Sequence, residues 1–425
     1  MRMHAGHAAI AGLLSIAATA ACGGGQPAAP AGAGITVFES ARLITGDGSV
    51  PIDNAAFMVQ DGHITRIGRT GALEVPEGAR RVNLAGKTVM PAIVDAHTHI
   101  GRERAEMTDQ LQREAYWGVA AVISMGQDNV PLALEVRDQP VPDGARLLTA
   151  GRGITMPEPG RTDIPYWVES ADEARQAVRE NAANKVDLIK IWVDDRNGQY
   201  TKMPPEIYTA IIEEAHANGL RVAAHIFALE DAKGLLEAGI DAFAHNIRDM
   251  EVDDEVIALF KAHPEVYLIP NMPGRGVAED LAWTADSVPA DELARMQEAN
   301  AKLPPNAGDS YQLQARNLIT LRDAGVKIAF GTDSNGGWNA HQEMADMVAA
   351  GMTPAEVITA ATKTSAEWLR LEDLGTLAQG KSADFLILDG NPLDDITNTR
   401  NISAVYLRGE EVDRAALRQK WAGAQ

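Results

Sequence analysis

From Thr88 to Asp333 the chain repeats one pattern: a short apolar run, a polar or turn residue, then in several places a stretch of helical period. The apolar runs are Thr88–His97, Val119–Met125, Ala145–Ala150, Val186–Val193, Arg221–Phe227, Asp241–His245, Val266–Asn271 and Lys327–Asp333. Helical spacing marks Ala171–Asn184, Pro204–Asn218 and Asp253–His263 between them. Apolar runs of strand length alternating with helices predict parallel strands joined by crossovers. Pro204-Pro205 suits a first helical turn, and Gly219 suits a stop. Eight strands with crossover helices predict an α/β fold, a (β/α)8 TIM-type barrel. An open doubly wound sheet is the competing arrangement, and it leaves the polar residues discussed below without a common location.

The flanks are different. Ile35 to Leu84 reads as short hairpin strands punctuated by Gly46-Asp47-Gly48 and Asp61-Gly62, and further strands are expected at Ala383–Leu388 and Ile402–Val412. The expected organisation is β-rich pieces at 35–87 and 373–425, the latter ending in a helix, around a barrel at 88–372. Ahead of them, an apolar run from Ala8 to Ala21 is too short to span a bilayer and has the length of a signal-peptide core. Thr19-Ala20-Ala21-Cys22 resembles a bacterial lipoprotein signal, which implies cleavage after residue 21 and lipidation of Cys22. Residues 22–34, rich in Gly, Pro and Ala, then form a tether. The expected location is the bacterial cell envelope, lipid-anchored and facing the periplasm; ordinary secretion is the alternative. Cys22 is the sole cysteine, so no intrachain disulfide forms. With 38 Lys and Arg against 59 Asp and Glu, the net charge of -21 argues against a nucleic-acid partner and against a membrane contact other than the anchor.

Polar residues interrupt the apolar runs at their C-terminal ends. Pro91-Ala92-Ile93-Val94-Asp95-Ala96-His97-Thr98-His99 places two imidazoles two residues apart, on one side of a strand. Neutral imidazoles so placed suit a divalent metal such as zinc. His225 ends a second run, His245 a third and Asp333 a fourth. Each alone reads as well as a core histidine or a turn-starting carboxylate; together they predict one cluster at a barrel mouth. Lys190 lies inside the apolar strand Val186–Val193, where a bare ammonium is costly to desolvate. It either pairs with a carboxylate, such as Asp187 or Asp194, or reacts with carbon dioxide to give an anionic carbamate.

The set His97, His99, Lys190, His225, His245 and Asp333 resembles the metal site of the amidohydrolase superfamily. Met90-Pro91, Gly331-Thr332-Asp333-Ser334 and the late Gly380-Lys381-Ser382-Ala383-Asp384-Phe385 resemble its imidazolonepropionase and Xaa-Pro dipeptidase-like branch. The resemblance implies that the two terminal β pieces join into one composite sandwich beside the barrel. It implies two divalent metal ions, zinc expected, bridged by carboxylated Lys190. His97 and His99 would hold the buried ion, His225 and His245 the exposed one, and Asp333 would complete the site as proton acceptor. Lys190 and His245 thus join Asp333 in the catalytic set. Without carboxylation, a mononuclear site of His97, His99, His225 and Asp333 remains workable.

The expected reaction is attack of an activated water on an amide, cyclic amide or dipeptide-like bond of a small molecule. Lactone or ester hydrolysis at the same centre is the alternative, and a non-catalytic surface lipoprotein the third reading. Residues past the strand ends should line the pocket: Trp192, Asp194, Arg196, Arg248, Asn271, Arg275, Asn335, Trp338 and His341. Arg152 or Arg248 is placed to clamp a substrate carboxylate. Asp194-Asp195-Arg196 stands where the dipeptidase-like group is glycine-rich. Assembly into a homo-oligomer is left open.

Overall fold

The computed structural model describes residue 32 and residues 34–422. The signal segment and Cys22 lie outside the described residues. Five strands come first: β1 (Ile35–Leu43), β2 (Ile52–Gln60), β3 (His63–Arg69), β4 (Arg80–Asn83) and β5 (Thr88–Pro91). The alternating region then supplies β6 (Ile93–Thr98), β7 (Val119–Ser124), β8 (Arg146–Thr149), β9 (Ile154–Thr155), β10 (Tyr166–Trp167), β11 (Ile189–Val193), β12 (Val222–Ile226), β13 (Ala242–Ala244), β14 (Tyr267–Ile269) and β15 (Lys327–Ile328). Last come β16 (Phe385–Leu388), β17 (Ile402–Leu407), β18 (Glu410–Glu411) and a helix at Arg414–Ala422.

Strands from both ends of the chain share one eight-stranded sheet, in which β16 pairs antiparallel with β5 and β1 pairs with β2, β4 and β5. Its core is aromatic. Phe38 stacks on Phe57 at 4.8 Å, Phe385 stacks on Tyr406 at 4.7 Å, and Phe38 meets Phe385 edge-on at 5.1 Å. Alternation along these strands sends the rings to one face, and burying them is what holds the distant termini together. The run Thr88–His97, expected as one strand, is broken at Ala92. Pro91 pairs with Phe385 in the terminal sheet, while β6 runs beside β7, so the two halves serve different sheets.

In the alternating region β6, β7 and β8 form one parallel sheet, and β10, β9, β11, β12, β13, β14 and β15 follow one another in a second. Hydrogen bonds also cross between the two. Asp187 N donates to Thr149 O, Ala96 N to Phe330 O and Asp333 N to His97 O, and Thr98 bridges Ser334 in parallel. Helices at Ala171–Ala183, Pro205–Ala217 and Asp254–Ala262 match the predicted spacing within a residue or two. Ser170 caps the first by accepting from Glu173 N, and Gly219 (φ 73) follows the second in the left-handed region that favours glycine. β7, β11 and β12 are buried along their whole length, as expected when helices cover them. No helix among the described residues is long and apolar enough to cross a membrane.

Candidate metal centre

His97 in β6 and His99 just past its end lie two residues apart, and the residues after β15 bring Asp333 across to meet them. Asp333 Oδ1 lies 3.1 Å from His99 Nε2 and 3.3 Å from His97 Nε2. The ligating atoms of these three residues fall within 4.8 Å of one another. His245 Nε2 is 3.7 Å from Asp333 Oδ2, and its ring centroid is 5.0 Å from that of His97. The His225 ring lies 4.5 Å beyond His245. His245 (φ 89), Asn271 (φ 46) and Asp333 (φ 53) are all in the left-handed region. Such strain concentrates where side chains are aimed at a site against local preference.

Burial keeps His97, His225 and His245 well below the usual histidine range, with Lys190 adding to the effect at His97 and His225, and His225 doing so at His245. They are neutral at pH 7, which is the metal-binding form. Burial alone would raise the Asp333 carboxyl, but His97, the hydrogen bond from His99 and Lys190 outweigh it, and the group stays ionised.

Lys190 is fully buried, and its Nζ has no hydrogen-bond partner among the described residues. Asp187, an expected partner, instead accepts from Thr149 N at 2.8 Å and lies 3.3 Å from Arg137. Burial pushes the Lys190 amine down to about 7. Trp192 covers it, with the ring centroid 5.5 Å from Nζ. That ring rests on Gly126 and Gly153, and a Cβ on Gly153 would strike it.

A shell of hydrogen bonds fixes these side chains. Asn271 Oδ1 lies 2.8 Å from His97 Nδ1, leaving Nε2 to face Asp333. Asn335 Nδ2 donates to His99 O at 2.8 Å. Asp95 accepts from His97 N at 2.9 Å and from Thr332 Oγ1 at 2.7 Å, and burial pushes its carboxyl up to about 7. Asp95 carries a sequence signal of its own: a carboxylate inside an apolar strand, two residues before the first histidine. Beside His225 Nε2 stand Asp194 Oδ2, Arg196 Nη1 and Arg248 Nη2, each at 3.0 Å. Glu158, which holds Arg196 Nε at 3.1 Å, carried no signal because it enters from a loop of its own.

Two expected substrate contacts are corrected. Arg152 spends its guanidinium on the carbonyls of Ile164 and Pro165 and stacks on Tyr166 at 4.1 Å, so it braces a loop. His341 is fully buried, with Nε2 2.8 Å from Trp117 O and its ring packed on Trp117. It belongs to the core because the helix Asn339–Ala350 turns it inward. Arg275 is paired with Glu279 and Asp346, and Trp338 packs against Trp283.

Residues 88–412 match the amidohydrolase family. The chain is 26% identical over 423 residues to ochratoxinase from Aspergillus niger, covering 85% of this chain and 82% of that one. It is 27% identical over 379 residues to imidazolonepropionase from Agrobacterium fabrum, covering 81% and 86%. A crystal structure of a candidate prolidase from Bifidobacterium longum superposes with a TM-score of 0.73 at 27% identity, over 91% of this chain and 99% of that one. Structures of this kind imply a TIM-type barrel for the alternating region. Two imidazoles and an ionised carboxylate in ligating reach, within the residues that the family model spans, agree with that match. The chain is an enzyme of the amidohydrolase family.

Proposed function

We propose that the enzyme is a metal-dependent hydrolase of carbon–nitrogen bonds in small molecules, cleaving an amide, cyclic amide or dipeptide-like bond with water. The single observation behind this reading is the meeting of His97, His99 and Asp333 within ligating distance, beside a buried Lys190 amine that has no hydrogen-bond partner among the described residues. The donor set fits a divalent ion: three or four imidazole nitrogens and carboxylate oxygens suit zinc. His97, His99 and Asp333 would hold one ion and His225 and His245 a second, with Lys190, as its carbamate, between them. Carbamate formation accounts for a buried, partly neutral lysine amine, which is the nucleophilic form toward carbon dioxide. Such ions lower the pKa of water from 15.7 toward about 7 and polarise a carbonyl.

The protein's own groups do the rest. The Asp333 carboxylate accepts the proton of the attacking water and delivers it to the leaving nitrogen, which needs only hydrogen-bond reach. His245 lies on the Asp333 Oδ2 side of the site and orients that transfer. Trp192 excludes bulk water from the Lys190 pocket. In this reading the parallel strands close as a (β/α)8 barrel spanning 88–372, with the composite terminal domain packed beside it, and a lipid on Cys22 tethers the whole to the envelope membrane. Metal analysis joined to a substrate panel tests the proposal. About two equivalents of zinc, lost together with hydrolysis of dipeptides, N-acyl amino acids or hydantoin-like rings on chelation, is the expected result. Turnover that survives complete metal removal would sink it.

A further inference from the structure

We infer that Glu343 is a positioning residue of the proposed metal centre: by accepting a hydrogen bond from Met272 N, its carboxyl fixes Asn271 and, through Asn271, the His97 ring. This rests on the metal-dependent reading above and adds a group that touches neither ion nor substrate. The helix Asn339–Ala350 turns Glu343 into the protein, where it is 5% exposed. Both of its carboxyl oxygens lie 3.0 Å from Met272 N. Three residues on, on the same helix face, Asp346 Oδ1 lies 2.9 Å from Arg275 Nε. Glu343 and Asp346 thus grip the chain after β14 at two points.

That stretch depends on outside support. Residues 270–275 belong to no helix or strand. Asn271 (φ 46) is left-handed and places Oδ1 2.8 Å from His97 Nδ1. A conformation of that kind persists only when its surroundings hold it. The same stretch also steadies His245, because Ile269 O accepts from His245 N at 2.9 Å and Pro270 O from Asn246 N at 3.2 Å. The position does not suit an acid. Burial, followed by Asp346, Asp95 and Asp333, pushes the Glu343 carboxyl well above the usual carboxylate range, against the hydrogen bond from Met272 N. An apolar side chain would escape that penalty but would leave Met272 N, next to Asn271, without its acceptor. A buried carboxyl under such a load marks a functional site more readily than a packing position.

The test compares the full chain with Glu343→Gln, which keeps a carbonyl acceptor for Met272 N, and Glu343→Asp, which keeps the carboxyl but withdraws it by about 1.5 Å. Zinc affinity, read by competition with a chromophoric chelator, should fall about tenfold or more in Glu343→Asp and stay near the parent value in Glu343→Gln. The ligand-field bands of the cobalt-loaded proteins, which report coordination geometry, should move in Glu343→Asp alone. A role confined to stability would lower the melting temperature without moving those bands. Combined with Asn271→Gly, Glu343→Asp should cost no further zinc affinity, because both changes break the same chain of contacts. In the unaltered chain, hydrogen exchange at the Met272 amide should be slow. Parent-like zinc affinity and bands in Glu343→Asp, equal losses in both single variants, additive losses in the double variant, or an amide that exchanges as freely as an open loop overturns the positioning role alone. A parent chain that takes up neither zinc nor cobalt overturns the metal-dependent reading and this role with it.

Discussion

Asn271 Oδ1 lies 2.8 Å from His97 Nδ1, so a side chain following β14 sets which nitrogen of a β6 histidine faces Asp333. An outer partner of this kind fixes the tautomer and the ring orientation of a ligand. Asn271 has φ 46, so glycine is the replacement that removes the acceptor without adding backbone strain. Asn271→Gly should weaken zinc binding by about 10–100-fold, read by competition with a chromophoric chelator. Asn271→Asp, which keeps an acceptor for Nδ1–H, should restore most of it. Equal affinity in all three proteins would make the contact incidental.

Asp333 is the group proposed to move the proton. Asn fits the same space and tolerates φ 53, so Asp333→Asn should unfold at nearly the same temperature as the parent chain. Its kcat should fall by at least about 10²–10⁴, the contribution of a positioned acid–base group. Near-parent turnover by this variant would remove Asp333 from the mechanism.

His341 separates core from pocket. Because it is buried against Trp117 and 2.8 Å from that residue's carbonyl, His341→Ala should lower the unfolding free energy by about 1–3 kcal/mol. KM on any substrate found should be unchanged. A raised KM at parent stability would return His341 to the substrate pocket.

The features legible in the sequence were those with a period or a lone chemical signature. The apolar runs announced parallel strands, and His97, His99, His245 and Asp333 stood out because polar residues at apolar strand ends need a reason to be there. What stayed illegible depends on long-range geometry. Whether a loop arginine faces solvent, a carbonyl or a histidine is set by loops such as the one carrying Glu158. Arg152 and Arg248 therefore looked alike in sequence, yet only Arg248 reaches the site. The break at Ala92 was hidden for a similar reason: Val89 to Val94 is one uninterrupted apolar run, and only the partners of its two halves, β16 and β7, tell them apart.

Lys190 offers a test that needs no substrate. Its amine titrates at 10.5 when unfolded and at about 7 in the folded protein, because burial disfavours the ammonium. Between those values the unfolded chain holds the extra proton, so the lysine's contribution to stability rises with pH across that window. The penalty is fully present below about pH 7 and absent above pH 10.5. Lys190→Met, similar in length and uncharged, removes it. Stripped of metal in carbon dioxide-free buffer, the variant should melt several degrees above the parent protein at pH 7, and the gap should close as pH approaches 10. The same variant should lose tight zinc binding, because the bridging group is gone. A parent protein that matches Lys190→Met in melting temperature at every pH would mean that the amine is solvated or paired, and the carbamate would lose its physical motive.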